Sequence, residues 1–292
     1  MRIELNGWDR RAAVDTRGGE LISYRDEGDL EYIWQGDPAY WEGRNPLLFP
    51  VIGACRDGVV AFGGREYPIQ RHGFAREREF TLVDQGEDWA ELELGEDGES
   101  LACYPFSFRL RVRQQLHPDG FSTAVTVHNP GEGPLPFCLG AHTAFRCPLL
   151  PGERFEDYRL IFQQREDCPS LVPQDSYLDR ERTMPCLEGT DTLVLDHSVF
   201  DRVDTLVLEG LRSHRVRLCR PETGRGVEVD FSGFPILALW TVPGKQAPYL
   251  CIEPWHGGPA MAGESREMTD KAYCITLDPG QSRTLSYRVR TL

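Results

Sequence analysis

Lysine is almost missing from this chain: of its 32 lysine and arginine residues only Lys245 and Lys271 are lysine. That leaves little scope for Schiff-base chemistry and makes arginine the default hydrogen-bonding cation. A formal net charge of -14 at pH 7 disfavours nucleic acid, whose binding rests on neutralising phosphates. It also weighs against highly anionic substrates. Long apolar runs are absent, since no stretch approaches the roughly 20 residues that a membrane helix needs, and Met1-Arg2-Ile3-Glu4-Leu5-Asn6-Gly7-Trp8 has no apolar export core. A soluble, cytoplasmic protein without a membrane partner is expected. The nine cysteines contain no Cys-x-x-Cys pair, and an odd number without an export signal argues against a disulfide framework. They read as reduced, small and mostly buried.

Familiar catalytic signatures are lacking as well. There is no Gly-x-Ser-x-Gly elbow, no Gly-rich phosphate loop and no dinucleotide fingerprint. His72, His142, His197 and His256 lie far apart, with no pair at the short spacing of a preformed zinc site. Neither metal nor cofactor is expected, although spacing is blind to a composite site.

What is present is strand and turn. The 29 glycines and 21 prolines discourage long helices, and no segment of 12 or more residues carries a helical stripe. Residues 106–113 alternate apolar and polar; after His117-Pro118-Asp119-Gly120, residues 121–128 alternate again. That pattern predicts an antiparallel hairpin with one buried face. Further short strands are expected at 91–94, 205–208, 215–219, 226–231 and 284–289. No internal repeat or low-complexity linker divides the chain, so residues 1–292 are expected to form one all-β domain, and the Pro- and Asp-rich stretch 167–190 a long loop across one face.

Three polar contexts stand out. Glu253 interrupts the apolar run Tyr249-Leu250-Cys251-Ile252-Glu253-Pro254-Trp255, where a bare carboxylate needs a partner, a raised pKa or a function. The alternative is the wet face of an edge strand marked by Pro254. His72 lies in Arg71-His72-Gly73-Phe74-Ala75-Arg76, and His142 in Cys138-Leu139-Gly140-Ala141-His142-Thr143-Ala144-Phe145, whose small residues would let a ligand approach the backbone.

With these segments in order, the sequence resembles the aldose 1-epimerase, galactose mutarotase-like family, especially a bacterial branch of shorter members. The resemblance runs from Gly19-Glu20-Leu21-Ile22-Ser23-Tyr24 through Tyr32-Ile33-Trp34-Gln35-Gly36-Asp37-Pro38-Ala39-Tyr40-Trp41 and Asn45-Pro46-Leu47-Leu48-Phe49-Pro50-Val51-Ile52-Gly53. It continues over both histidine segments, Phe200-Asp201-Arg202-Val203-Asp204, Gly233-Phe234-Pro235 and Cys251-Ile252-Glu253-Pro254-Trp255 to Leu277-Asp278-Pro279-Gly280. It implies a β-supersandwich of antiparallel sheets with few short helices, holding a monosaccharide, in a monomer or homodimer. By the same resemblance Glu253 is similar to the general base, His142 to the general acid and His72 to a second histidine near the ring oxygen. Asp204 is similar to an aspartate on sugar hydroxyls, with Asp201 and Asp196 as alternatives, and Arg76 and Trp240 to lining residues.

The residue types suit isomerase chemistry. Interconverting anomers requires taking the proton from the hydroxyl on C1 and protonating the ring oxygen, which opens the ring; rotation and reclosure follow. A carboxylate and a histidine supply both transfers. Burial would raise Glu253, and an anionic surround would keep His142 protonated. Two departures from the family pattern bear on substrate. An arginine often follows the glycine of Phe-Pro-x-x-Gly, whereas Gly53 precedes Ala54 and the nearest arginine is Arg56, expected two residues further along a strand and on the same face. His142 precedes Thr143 where proline is frequent. Epimerisation of a hexose 6-phosphate, with Arg56, Arg71 and Arg76 as a clamp, and sugar binding or sensing without catalysis are the alternatives.

Overall fold

The computed structural model describes residues 1–174 and 177–292. Its centre is a 15-stranded sheet, joined by a three-stranded sheet of Arg2–Gly7, Arg10–Asp15 and Glu20–Arg25 and by two small two-stranded ladders. Every strand ladder is antiparallel, the all-β architecture that the density of turns implies. The expected hairpin forms between Arg109–His117 and Gly120–His128, in unbroken register from Arg109 opposite His128 to His117 opposite Gly120. Leu110, Val112 and Leu116 on one strand and Phe121, Val125 and Val127 on the other are buried. Alternation therefore sends one face into the core and the arginines of the first strand outward.

Helix is confined to short pieces, the longest described being Gly98–Cys103 and His197–Val203. Among the described residues no helix is long and apolar enough to cross a membrane.

The expected loop at 167–190 is in large part sheet. Arg159–Leu171 and Thr183–Val194 pair with each other. Their register shifts between Ile161 and Glu166 and again between Cys168 and Ser170. Such bulges scramble the period-two pattern by which a strand is recognised. The part of that stretch at 175–176 lies outside the described residues.

Five neighbouring segments of the large sheet carry or flank Glu253 and His142, while His72 lies in a turn outside them. Thr205–Glu209 lies beside Ile236–Trp240, which lies beside Tyr249–His256, which pairs in turn with Leu139–Ala141 and Thr143–Arg146.

Candidate active site

The strand Tyr249–His256 is buried along seven of its eight residues, because both its faces are covered. Leu250 and Ile252 enter the main core, each such burial stabilising the fold by about 1.5–3 kcal/mol. Tyr249 and Cys251 face the other way, into a smaller cluster with Trp34, Ala144 and Ala247. Glu253, two residues beyond Cys251, shares that second face. It is 1% exposed and the strand is paired on both sides, so the edge-strand reading is excluded. Pro254 is tolerated in this interior strand because the ladder is interrupted between Leu139–Ala141 and Thr143–Arg146, which places the missing N–H at a gap.

His142 occupies that interruption. The pairs Gly140–Trp255 and Thr143–Ile252 share one register, which sets His142 opposite Glu253, where cross-strand side chains meet. His142 Nε2 lies 3.3 Å from Glu253 Oε1, yet Oε1 has no aligned hydrogen-bond partner and neither has His142 Nδ1. The other carboxyl oxygen accepts from Trp255 Nε1 at 3.2 Å. The imidazole rings of His72 and His142 are 5.8 Å apart and nearly perpendicular. Gly53 N–H donates to His72 Nδ1 at 3.1 Å, so the neutral ring carries its proton on Nε2 and offers a donor. The turn that presents His72 runs through φ 66° at His72 and 70° at Gly73. A Cβ at Gly73 would stand 2.1 Å from Phe49 O, which is why glycine follows this histidine.

Burial governs the electrostatics. It pushes the Glu253 carboxyl well above the ordinary range, against the Trp255 hydrogen bond and with help from Asp204. It pushes His142 down to about 3, with Arg76 adding repulsion. The expectation that His142 is held protonated is thus reversed: removal from water outweighs any anionic surround. Burial thus disfavours the charged form of both members of the apposed pair. His72 is also held neutral, by burial first and then by His142, Arg76 and Arg71.

Trp240 and Asp204 reach the same face. Trp240 pairs with Cys251 and Thr205, its ring lies 5.5 Å from that of His142, and its Nε1 donates to Asp204 Oδ1 at 3.3 Å. The competing aspartates are engaged elsewhere: Asp196 caps the helix by accepting from Ser198 N, and Asp201 accepts from Gly244 N. Arg76 has a buried Nε without a hydrogen-bond partner, while its Nη2 donates to Arg71 O at 3.2 Å.

Arg56 stands differently from expectation. Gly53 sits at φ 65° and Arg56–Gly58 is a 3₁₀ turn, so the same-face geometry of a strand does not apply. The guanidinium donates to Met261 O and lies over the Tyr177 ring, at 3.2 and 5.4 Å. It lines a surface cleft with Tyr177, Arg182 and Gly263, whose wall includes none of His72, His142 and Glu253. Gly140 also differs: a Cβ there would meet Trp255 Cδ1 at 2.9 Å, so its smallness admits Trp255 rather than a ligand.

Three residues join the site without having been singled out. The Trp41 ring lies 4.9 Å from His142, 5.3 Å from Trp240 and 5.8 Å from Tyr249. Tyr249 keeps a buried, unpartnered hydroxyl, and the Cys251 thiol is fully buried beside His142 and Glu253. Tyr249 and Cys251 were legible from the i, i+2, i+4 spacing to Glu253; Trp41, on an irregular segment, had no such signal.

The fold is that of galactose mutarotase-like proteins. It matches a galactose mutarotase related enzyme from Lactobacillus acidophilus (TM-score 0.94, 25% identity, 100% of this chain and 97% of that one). A galactose mutarotase-like protein from Lactobacillus casei is similarly close (TM-score 0.91, 26% identity, all of both chains). The chain belongs to the aldose 1-epimerase family, whose model matches residues 1–290. It is 37% identical over 300 aligned residues, covering both chains fully, to the plasmid-encoded protein LacX of Lactococcus lactis subsp. lactis.

Proposed function

We propose that the protein is an aldose 1-epimerase that interconverts the α and β anomers of a free monosaccharide by acid–base ring opening and reclosure. The observation that carries this reading is the buried Glu253–His142 apposition at 3.3 Å, with one transferable proton between two sites. Glu253 takes the proton from O1 and His142 delivers one to the ring oxygen. The bound sugar prepares that state, because O1–H donates to the carboxylate and the ring oxygen accepts from the imidazolium, each favouring the charged form. Transfer then leaves Glu253 protonated and His142 neutral. That is the distribution which burial alone prefers, so the dry site stabilises the open-chain intermediate relative to the charged reactant state. Reclosure on the other face of C1 reverses both transfers. His72 Nε2–H supplies a neutral donor to sugar oxygens, Trp240 offers an aromatic face, and Asp204 accepts from sugar hydroxyls while orienting Trp240.

The test is polarimetry, or saturation-transfer NMR, on a panel of freshly dissolved aldoses. Acceleration over the spontaneous rate is expected for at least one sugar. No acceleration across the panel, with sugar binding retained, would establish the binding-only alternative.

A further inference from the structure

We propose that His142, Cys251 and Glu253 form a site for a soft divalent cation of the zinc and cadmium type, and that the cation competes with sugar for the acid–base pair. The inhibitory consequence rests on the epimerase reading; the binding does not.

A His142 ring nitrogen, Cys251 Sγ and a Glu253 carboxyl oxygen all lie within 4.8 Å of one another, and all three residues are buried. In a tetrahedral zinc site with bonds of about 2.0–2.1 Å, a nitrogen and an oxygen ligand stand about 3.3–3.4 Å apart. His142 Nε2 and Glu253 Oε1 stand 3.3 Å apart. A sulfur bonded at about 2.3 Å would lie about 3.6 Å from either, so Sγ has at most about 1.2 Å to travel. A single side-chain torsion covers that distance.

A second observation points to a ligand between these atoms. Glu253 Oε1 is buried, approaches the imidazole, and still has no hydrogen-bond partner. The two groups are at hydrogen-bonding distance but misaligned, as they would be if both were aimed at a third atom. Cys251 has no part in the acid–base cycle, yet its place on the strand aims it at the same point.

The donor set selects the ion. One thiolate and one carboxylate balance a divalent cation to zero net charge, which a site walled by Trp41, Trp240 and Tyr249 tolerates far better than an isolated charge. The thiol and carboxyl protons leave to solvent as the bonds form. Sulfur and imidazole ligands favour zinc or cadmium over magnesium or calcium, which take oxygen ligands. A cation held by the His142 imidazole and a Glu253 carboxyl oxygen ties up both proton-transfer groups.

Cadmium titration of the full chain tests binding, read as thiolate-to-cadmium ultraviolet absorption. All nine cysteines are free, so the informative quantity is the difference between wild type and Cys251→Ser. A band of one equivalent present in wild type, absent in Cys251→Ser and weakened in His142→Gln is expected; identical titrations of wild type and Cys251→Ser overturn the site. Zinc inhibition of mutarotation is then compared with each variant's own metal-free rate. Cys251→Ala should raise the half-inhibiting zinc concentration at least about tenfold, and an unchanged value overturns the proposed competition. A cadmium band in a protein that accelerates no sugar supports the metal site and removes the epimerase reading. Acceleration without the band does the reverse.

Discussion

Replacing Glu253 by glutamine separates what the carboxyl does for the reaction from what it does for the fold. The amide has the same shape, its oxygen can accept from Trp255 Nε1, and its NH₂ can donate to His142 Nε2 across the present 3.3 Å. Because burial pushes the Glu253 carboxyl well above its ordinary range, the charged form does not stabilise the fold, and the substitution removes no charge that the fold relies on. Below about pH 4, where the carboxyl is protonated in the folded and unfolded chain alike, stability is therefore expected to stay within about 0.5 kcal/mol of wild type. Proton transfer is lost completely: a positioned acid or base contributes about 10²–10⁴ in rate, or about 2.7–5.5 kcal/mol of barrier. Polarimetry after subtraction of the spontaneous rate measures this, with sugar binding followed separately by calorimetry. The stability profile adds an independent check. A carboxyl whose folded pKa is raised contributes stability at low pH that is lost as pH rises through the folded value, and glutamine has no such loss. Thermal melts should show the variant gaining on wild type toward alkaline pH. Wild-type turnover in the variant would refute the assignment of the base, and a parallel pH profile would refute the buried, protonated resting state.

Further outcomes can be stated in the same terms. His142→Gln should lose a comparable factor in mutarotation. It should also lessen the acid sensitivity of the fold: His142 is held near about 3 against about 6.5 in an unfolded chain, so wild type loses stability as pH falls from about 6.5 toward 3, by up to on the order of 4 kcal/mol. Thermal midpoints at pH 7 and pH 4 check this, and an unchanged difference would contradict the burial argument. Gly53→Ala introduces a Cβ 2.4 Å from Pro259 Cγ at φ 65° and should cost on the order of 1–3 kcal/mol in chemical denaturation, with KM raised because the N–H that orients His72 moves. Free glucose should be turned over in preference to glucose 6-phosphate. A strong opposite preference, abolished by changing Arg56, Arg71 or Arg76, would transfer the assignment to a hexose 6-phosphate epimerase.

The strands around the site were legible wherever the sheet has one covered face and steady register, as in 106–128. They were illegible at 167–190, where bulges shift the pairing between Ile161 and Ser170. Glu253 attracted notice because an apolar run made its charge conspicuous. Whether that run was an edge or an interior strand is decided by pairing partners outside it, here Ile236–Trp240 on one side and the sequence-distant Thr143–Arg146 on the other. Arg56 was misplaced because one left-handed glycine at position 53 redirects the chain and voids strand arithmetic. Cys251 was read as a small hydrophobe, which its burial supports, but its nearness to His142 belongs to cross-strand register and not to any local pattern.

The break in the ladder opposite His142 also divides the anchorage of the pair. Glu253 is held by the ladder to Ile236–Trp240, whereas the His142 backbone N–H is taken by Pro46 O at 3.1 Å and that of Ala144 by Arg44 O at 2.8 Å. The segment holding the histidine is itself pinned through Asn45, whose side-chain oxygen accepts from Thr143 and Tyr287. Glu253 and His142 are therefore tied together by the ladder on either side of the break, while the histidine segment has further anchors of its own. Substitutions in residues 44–48, which supply those anchors, are expected to shift the spacing between His142 and Glu253 while the carboxyl stays held by its ladder to Ile236–Trp240.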